Sequence, residues 1–185
     1  MFRVSTGTFL FLALLAMAGG AIAADPVPFA ARAGLDLAWE AAHVWATDAE
    51  LIYVENDEEV GGDGTAARWG YLFFSETRGR ARGYTIRDGE ILEAADLDFE
   101  LDAPPLDTDW VDSGVALAAA EEKAGREYRT EHAGRLQTML LIRGAFHDGD
   151  PDASTWALVY TADGEPALTI VVDAANGKVV RKWKG

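Results

Sequence analysis

Arg68-Trp69-Gly70-Tyr71-Leu72-Phe73 has a counterpart 87 residues on, Thr155-Trp156-Ala157-Leu158-Val159-Tyr160. In each, large side chains fall on every second residue, Trp69, Tyr71 and Phe73 in one and Trp156, Leu158 and Tyr160 in the other. That is the period of a strand with one buried face. Two flanking blocks repeat in the same order: Leu51-Ile52-Tyr53 matches Leu140-Leu141-Ile142 at an offset of 89, and Gly89-Glu90-Ile91-Leu92 matches Gly177-Lys178-Val179-Val180 at 88. Three blocks at nearly one offset predict a single supersecondary unit written twice.

An alanine-rich stretch precedes each set of strands. Ala38, Ala41, Ala42 and Trp45 recur at i, i+3, i+4 and i+7, so they form one buried helical stripe that leaves Glu40 and His43 toward water. In the second unit Ser113 is the expected N-cap, Val115 to Ala120 the helix and Gly125 its stop, with about a dozen inserted residues, 126 to 137, before the next strand. Strands are expected near 49–56, 66–75, 81–87 and 90–93, and again near 138–147, 155–162, 167–173 and 178–183. Turn residues separate them, among them Asp88-Gly89 and Asn176-Gly177. The predicted fold class is therefore α+β: two tandem units, each an α-helix packed on an antiparallel sheet of about four strands.

The chain has 185 residues, 49% of them hydrophobic, no cysteine, and a formal charge of -15. Half-apolar composition with six Trp supports a real core in spite of the acidity. The charge argues against nucleic acid or an anionic membrane surface as partner. The absence of cysteine excludes disulfides, thiolate nucleophiles, zinc-thiolate sites and iron-sulfur clusters. Residues 1–23 combine Arg3, an apolar run from Phe9 to Ala18, and Ala21-Ile22-Ala23 before the expected cut, and so read as a secretory signal. The apolar run is short for a bilayer-spanning helix, no other segment is a candidate, and no membrane insertion is expected after the signal is removed. The expected organisation is a signal peptide at 1–23, an N-terminal segment at 24–35, a first unit at 36–95, an acidic linker or extra strand at 96–112 and a second unit at 113–185.

The run Ile170-Val171-Val172-Asp173-Ala174-Ala175-Asn176-Gly177-Lys178-Val179-Val180, with the alanine-rich helix and the Trp156 strand before it, resembles the C-terminal hairpin of PepSY domains. In that family a strand ends in Asp-Ala, turns, and returns as a Val-rich strand; Asn176 stands where Thr is usual. The first unit departs further, with the shorter turn Arg87-Asp88-Gly89-Glu90 and no Asp-Ala pair. The resemblance implies a non-catalytic binding or inhibitory module outside the cytoplasm, periplasmic or secreted, and carries over no catalytic residue.

The residues themselves agree with a non-enzyme. His43, His132 and His147 show no metal-ligand spacing, and Ser75, Ser113 and Ser154 lie in no nucleophile elbow. Gly61-Gly62-Asp63-Gly64 lacks the lysine and the strand-to-helix setting of a phosphate loop. No catalytic residue, cofactor or committed metal site follows. Asp148, Asp150 and Asp152 begin like a calcium loop, but Ala153 and Val159 occupy the positions that need glycine and glutamate. Weak calcium or small-ligand binding there is the alternative reading.

Acidity concentrates between the units, where residues 96–112 hold seven acids and no base. Asp107, Asp109, Trp110 and Asp112 are the candidate contacts for an extracytoplasmic protein or peptide, with Trp110 as an aromatic anchor. Arg78, Arg80 and Arg82 compete for these acids from within. A hairpin through Asp88-Gly89 that pairs Arg82 with Asp96 would set Arg80 opposite Asp98 and Ile86 opposite Leu92. The function expected is an exported non-catalytic binding protein, a regulator or inhibitor of an extracytoplasmic peptidase or envelope protein.

Overall fold

The computed structural model describes residues 25–97 and 103–185. The signal segment, and the partner predicted for Arg80 at Asp98, lie outside the described residues. Eight strands follow in chain order: β1 Glu50–Asn56, β2 Arg68–Ser75, β3 Arg80–Arg87, β4 Glu90–Asp96, β5 Arg135–Arg143, β6 Ser154–Ala162, β7 Glu165–Asp173 and β8 Val179–Lys184. Two helical stretches accompany them, α1 Leu35–Trp45 and a rod made of α2 Ser113–Ala120, a wide π turn Glu121–Gly125 and α3 Arg126–His132.

The strands do not form two sheets. Their order is β4-β3-β2-β1-β5-β6-β7-β8 in one eight-stranded antiparallel sheet. The expectation of two tandem units, each a helix on its own four-stranded sheet, is corrected by one contact. Tyr53, Val54 and Glu55 of β1 pair with Ile142, Leu141 and Leu140 of β5. The physical reason is the apolar content of both strands. Leu51, Ile52 and Val54 in β1 and Met139 and Leu141 in β5 are all buried. Left as edges, they would expose long apolar strands with unpaired backbone. Pairing them satisfies that backbone and makes the two strands central.

The helices share one face of the sheet, with α1 over β2, β3 and β4 and α2 over β6 and β7. Ala38 and Ala42 are fully buried on α1, so the backbone approaches the sheet closely. Three indoles fill the core: Trp69 and Trp156 meet edge to face at 6.2 Å, and Trp110 and Trp156 at 5.8 Å. Each strand indole donates to a main-chain oxygen of the segment ahead of a helix, Trp69 to Phe29 at 2.7 Å and Trp156 to Val111 at 2.8 Å. Burial of these side chains therefore leaves no orphaned N–H.

Gly125 does not stop the second helix. The residues expected as an insertion are largely two further helical turns, which end at Ala133 in the left-handed region. The π turn is where the rod passes over Tyr160, and a Cβ on Gly125 would lie 2.5 Å from the Tyr160 hydroxyl oxygen. At the other end Asp112, not Ser113, is the N-cap, its carboxylate accepting from the Ser113 N–H. The β3–β4 register contains the expected Arg82–Asp96 pair, but a bulge after Thr85 sets Ile86 opposite Ile91 instead of Leu92. Asp96 accepts from both Arg82, at 2.6 Å, and Arg80, at 3.2 Å.

Two measurements test this account. Gly125→Ala should lower unfolding free energy by about 1–3 kcal/mol, read from urea melts, because the packed Tyr160 leaves no room for a methyl group. Asp48 fastens the β2–β3 turn by accepting from the Thr77 N–H and the Ser75 hydroxyl. These bonds, the Thr77 N–H foremost, lower its carboxyl from 3.8 to about 2. A depressed folded-state value means stability that is complete above the unfolded value and lost as pH falls through the folded one. The melting-temperature gap between the protein and Asp48→Asn should therefore hold above pH 4 or so and close as pH falls toward about 2.

Candidate functional site

On the helix-free face, direct cross-strand partners form one row through all eight strands: Glu93, Thr85, Gly70, Glu55, Leu140, Ala157, Val171 and Arg181. The two halves of this row are treated differently. In the second half, the 144–153 loop folds back onto the face. Phe146 packs against Trp183 at 6.2 Å, Asp148 pairs with Arg181 at 2.9 Å, and His147 lies 3.9 Å from Asp173. Ala157 and Val171, which lie among these residues, are buried even though no helix covers them.

In the first half the corresponding loop, residues 57–67, leaves this face. Gly64, at φ +83°, packs against the Ser113–Gly114 backbone at the start of α2, so the loop belongs to the helix side. The result is an open cleft of about 650 Å³ among the described residues. Gly70, Leu72, Gly83 and Ala95 make its floor, Tyr53 one wall, and Glu55, Asp57 and Glu93 its rim.

The glycines carry most of the information. Neither has positive φ. A Cβ on Gly70 would find nothing closer than 3.7 Å and one on Gly83 nothing closer than 4.0 Å among the described residues. Backbone geometry and packing would both accept alanine, and glycine inside a strand costs stability. What glycine supplies here is space above the sheet, which is what a strand needs where another chain or ligand approaches closely. Tyr53 is preset toward this space by donating to Glu55 Oε2 at 2.7 Å. Burial first, and then the Glu55 carboxylate, raise its hydroxyl well above the usual phenol range, so it remains a neutral donor. Glu93 has no ion-pair partner among the described residues, while Asp57 faces Arg68 at 3.5 Å.

The residues expected to meet a partner are placed elsewhere. Trp110 is only 3% exposed and is a core residue, not an exposed anchor. The Arg32 guanidinium covers its outer side at 4.3 Å and donates to the Trp110 and Thr108 oxygens. Asp112 is engaged as the helix cap and by the Arg32 N–H, and Asp107 by Ser154 and Arg143. Asp109 stays exposed. The strip folds inward because its apolar members are needed in the core, and its carboxylates follow them to internal donors.

Asp148, Asp150 and Asp152 do not converge. Asp148 turns to Arg181, and Asp150 accepts from the Asp152 N–H within its own turn. Among the described residues no three His, Asp or Glu side chains are grouped to hold a metal ion. Ser75, Ser113 and Ser154 are all buried, and the hydroxyls of Ser75 and Ser154 donate to Asp48 and Asp107. No described helix is long and apolar enough to cross a membrane.

No protein-family model matches the chain, and no curated protein matches it in sequence. A solved structure of a "putative lipoprotein" from Clostridium difficile has a similar fold, with a TM-score of 0.54 at 17% identity over 82% of this chain and 92% of that one. At that identity the likeness concerns the fold.

If space is what the glycines provide, Gly70→Ala and Gly83→Ala should each raise unfolding free energy, by about 0.5–1 kcal/mol in urea melts. A loss of stability would show instead that the floor is already filled.

Proposed function

We propose that the chain is an exported, non-catalytic binding protein that receives an extended basic segment of an extracytoplasmic protein in the glycine-floored cleft. The observation that carries this is the pair Gly70 and Gly83, which leave space, among the described residues, on a surface that the other half of the same sheet covers with its own loop. Tyr53 offers apolar contact, and Glu55 and Glu93 bracket the floor across three strand spacings, about 14 Å. Such a trough suits an extended chain whose apolar side chains enter and whose lysines or arginines meet the rim. The leader-like residues 1–23 support export, as does the description of the structural relative as a lipoprotein. The PepSY resemblance supports a regulator or inhibitor of a peptidase or envelope protein, and thus a periplasmic or secreted setting.

The test is an NMR titration of isotope-labelled protein with a short peptide of alternating lysine and valine, beside a matched glutamate–valine peptide. The basic peptide should shift the amides of Tyr53, Gly70, Gly83 and Thr85, and the acidic one should not. Gly70→Val with Gly83→Val should abolish these shifts while the fold melts no lower. Glu93→Gln should weaken binding by about two- to fivefold and flatten its salt dependence, as for one rim charge. Equal response to both peptides, or none, would remove the cleft from consideration.

A further inference from the structure

The two edges of the sheet carry opposite charge. β4 reads Glu90-Ile91-Leu92-Glu93-Ala94-Ala95-Asp96, with three acids and no base; Asp96 is already paired with Arg80 and Arg82, which leaves Glu90 and Glu93, and all seven residues are exposed. β8 reads Val179-Val180-Arg181-Lys182-Trp183-Lys184, with three bases and no acid; Arg181 is already paired with Asp148, which leaves Lys182 and Lys184, and four of its six residues are exposed. In a molecule with about twice as many acids as bases, an all-basic strand at one boundary is a local reversal of the general charge. The outward backbone groups of both strands have no hydrogen-bond partner among the described residues. Each edge therefore presents a ladder that an added strand could continue.

Charge on an edge ordinarily keeps copies apart, and one sign on both edges would do so for every pairing. The arrangement here guards against only two of the three. β4 against β4 sets acids against acids, and β8 against β8 sets bases against bases, both of which are destabilising. β4 against β8 is complementary. The sheet geometry also permits it. Eight strands alternate in direction, so the first and last run opposite ways. A second copy placed beside the first, with its helices on the same side, brings its β4 against the first copy's β8 in the antiparallel sense.

We infer that a second copy of this chain is the partner of the sheet edges, with β4 of one molecule pairing β8 of the next head to tail. The contact uses different surfaces on the two molecules, so it runs on as an open chain of copies and does not close as a dimer. The exposed apolar residues on the edges, Ile91 and Leu92 on β4 and Val180 on β8, are covered by the pairing. The overall negative charge opposes it at long range, and salt at cellular strength screens that repulsion over roughly 8 Å while contact pairs are screened less. The inference rests on the charge and free backbone of the edges and not on the cleft, although β4 supplies Glu93 and Ala95 to both.

Sedimentation velocity over a concentration series at cellular ionic strength reads the association directly. The protein should show a weight-average mass that rises with concentration. Glu90→Lys with Glu93→Lys should lose that rise, and so should Lys182→Glu with Lys184→Glu. Mixing the two reversed variants should restore it, because each then offers the other two complementary edges. A geometric readout stands apart from charge and stability. The chain has no cysteine, and the edges lie about 33 Å apart within one molecule by strand spacing, beyond any internal disulfide. Equimolar Leu92→Cys and Val180→Cys proteins, oxidised together, should form the mixed disulfide dimer well in excess of either homodimer. A monomer at all concentrations, association that survives either charge reversal, or homodimers in excess would overturn the inference.

Discussion

The pairing of Tyr53, Val54 and Glu55 with Leu140, Leu141 and Ile142 is the contact on which the rest of the molecule depends. It is short, and its strength comes from what lies on the helix side. Trp69 from one half and Trp156 from the other meet beneath it, and Trp110 joins them from the connecting segment. Aromatic side chains of this size contribute more buried area than the three backbone pairs themselves. The seam is thus an aromatic core that spans both halves, with a backbone ladder to fix its register.

The connecting segment secures that core from outside. Leu106 donates to the Leu51 carbonyl at 2.8 Å and Val111 to that of Ala174 at 2.7 Å, so one stretch of chain is tied to both halves. Arg32, from ahead of α1, reaches across to the Trp110 and Thr108 oxygens. The ion pair of Arg143 with Asp107 is partly exposed and contributes little to stability. The Arg32 contacts are positional: its guanidinium holds Trp110 inward, and its backbone N–H helps set Asp112 where it caps α2.

Much of the strand pattern could be read from alternation and turn residues, since Trp69–Phe73 and Trp156–Tyr160 each point one face inward and Asp88-Gly89 closes its hairpin. The joining of the halves was harder to see. Leu51-Ile52-Tyr53-Val54 is apolar on consecutive residues, which is the mark of a strand covered on both faces and paired on both sides, and it was open to that reading. The inward course of Trp110 was hidden by its neighbours: Asp107, Asp109 and Asp112 make the segment look solvated, and only the three-dimensional position of Arg32 and Ser154 shows where two of those carboxylates go. Gly125 misled for a related reason. Past the last alanine a glycine reads as a stop, whereas Tyr160, 35 residues away, is what requires it. The cleft left a faint sequence signal, because Gly70 and Gly83 sit inside strands where nothing local asks for glycine.

The order of the strands bears on how the chain finds this structure. Six of the seven pairings join strands that are consecutive in sequence, with short connections, and only the seam brings together distant segments. Its innermost pair, Glu55 and Leu140, closes a loop of 85 residues. Against a ten-residue hairpin, closing a loop of that length costs about 2 kcal/mol more in chain entropy. Among the strand pairings, the non-local part is thus confined to three residue pairs, with the indoles beneath them. Contact order is low within each meander and high at one place, so the search that limits assembly is for the indole contact, with the ladders on either side built from neighbours already close at hand.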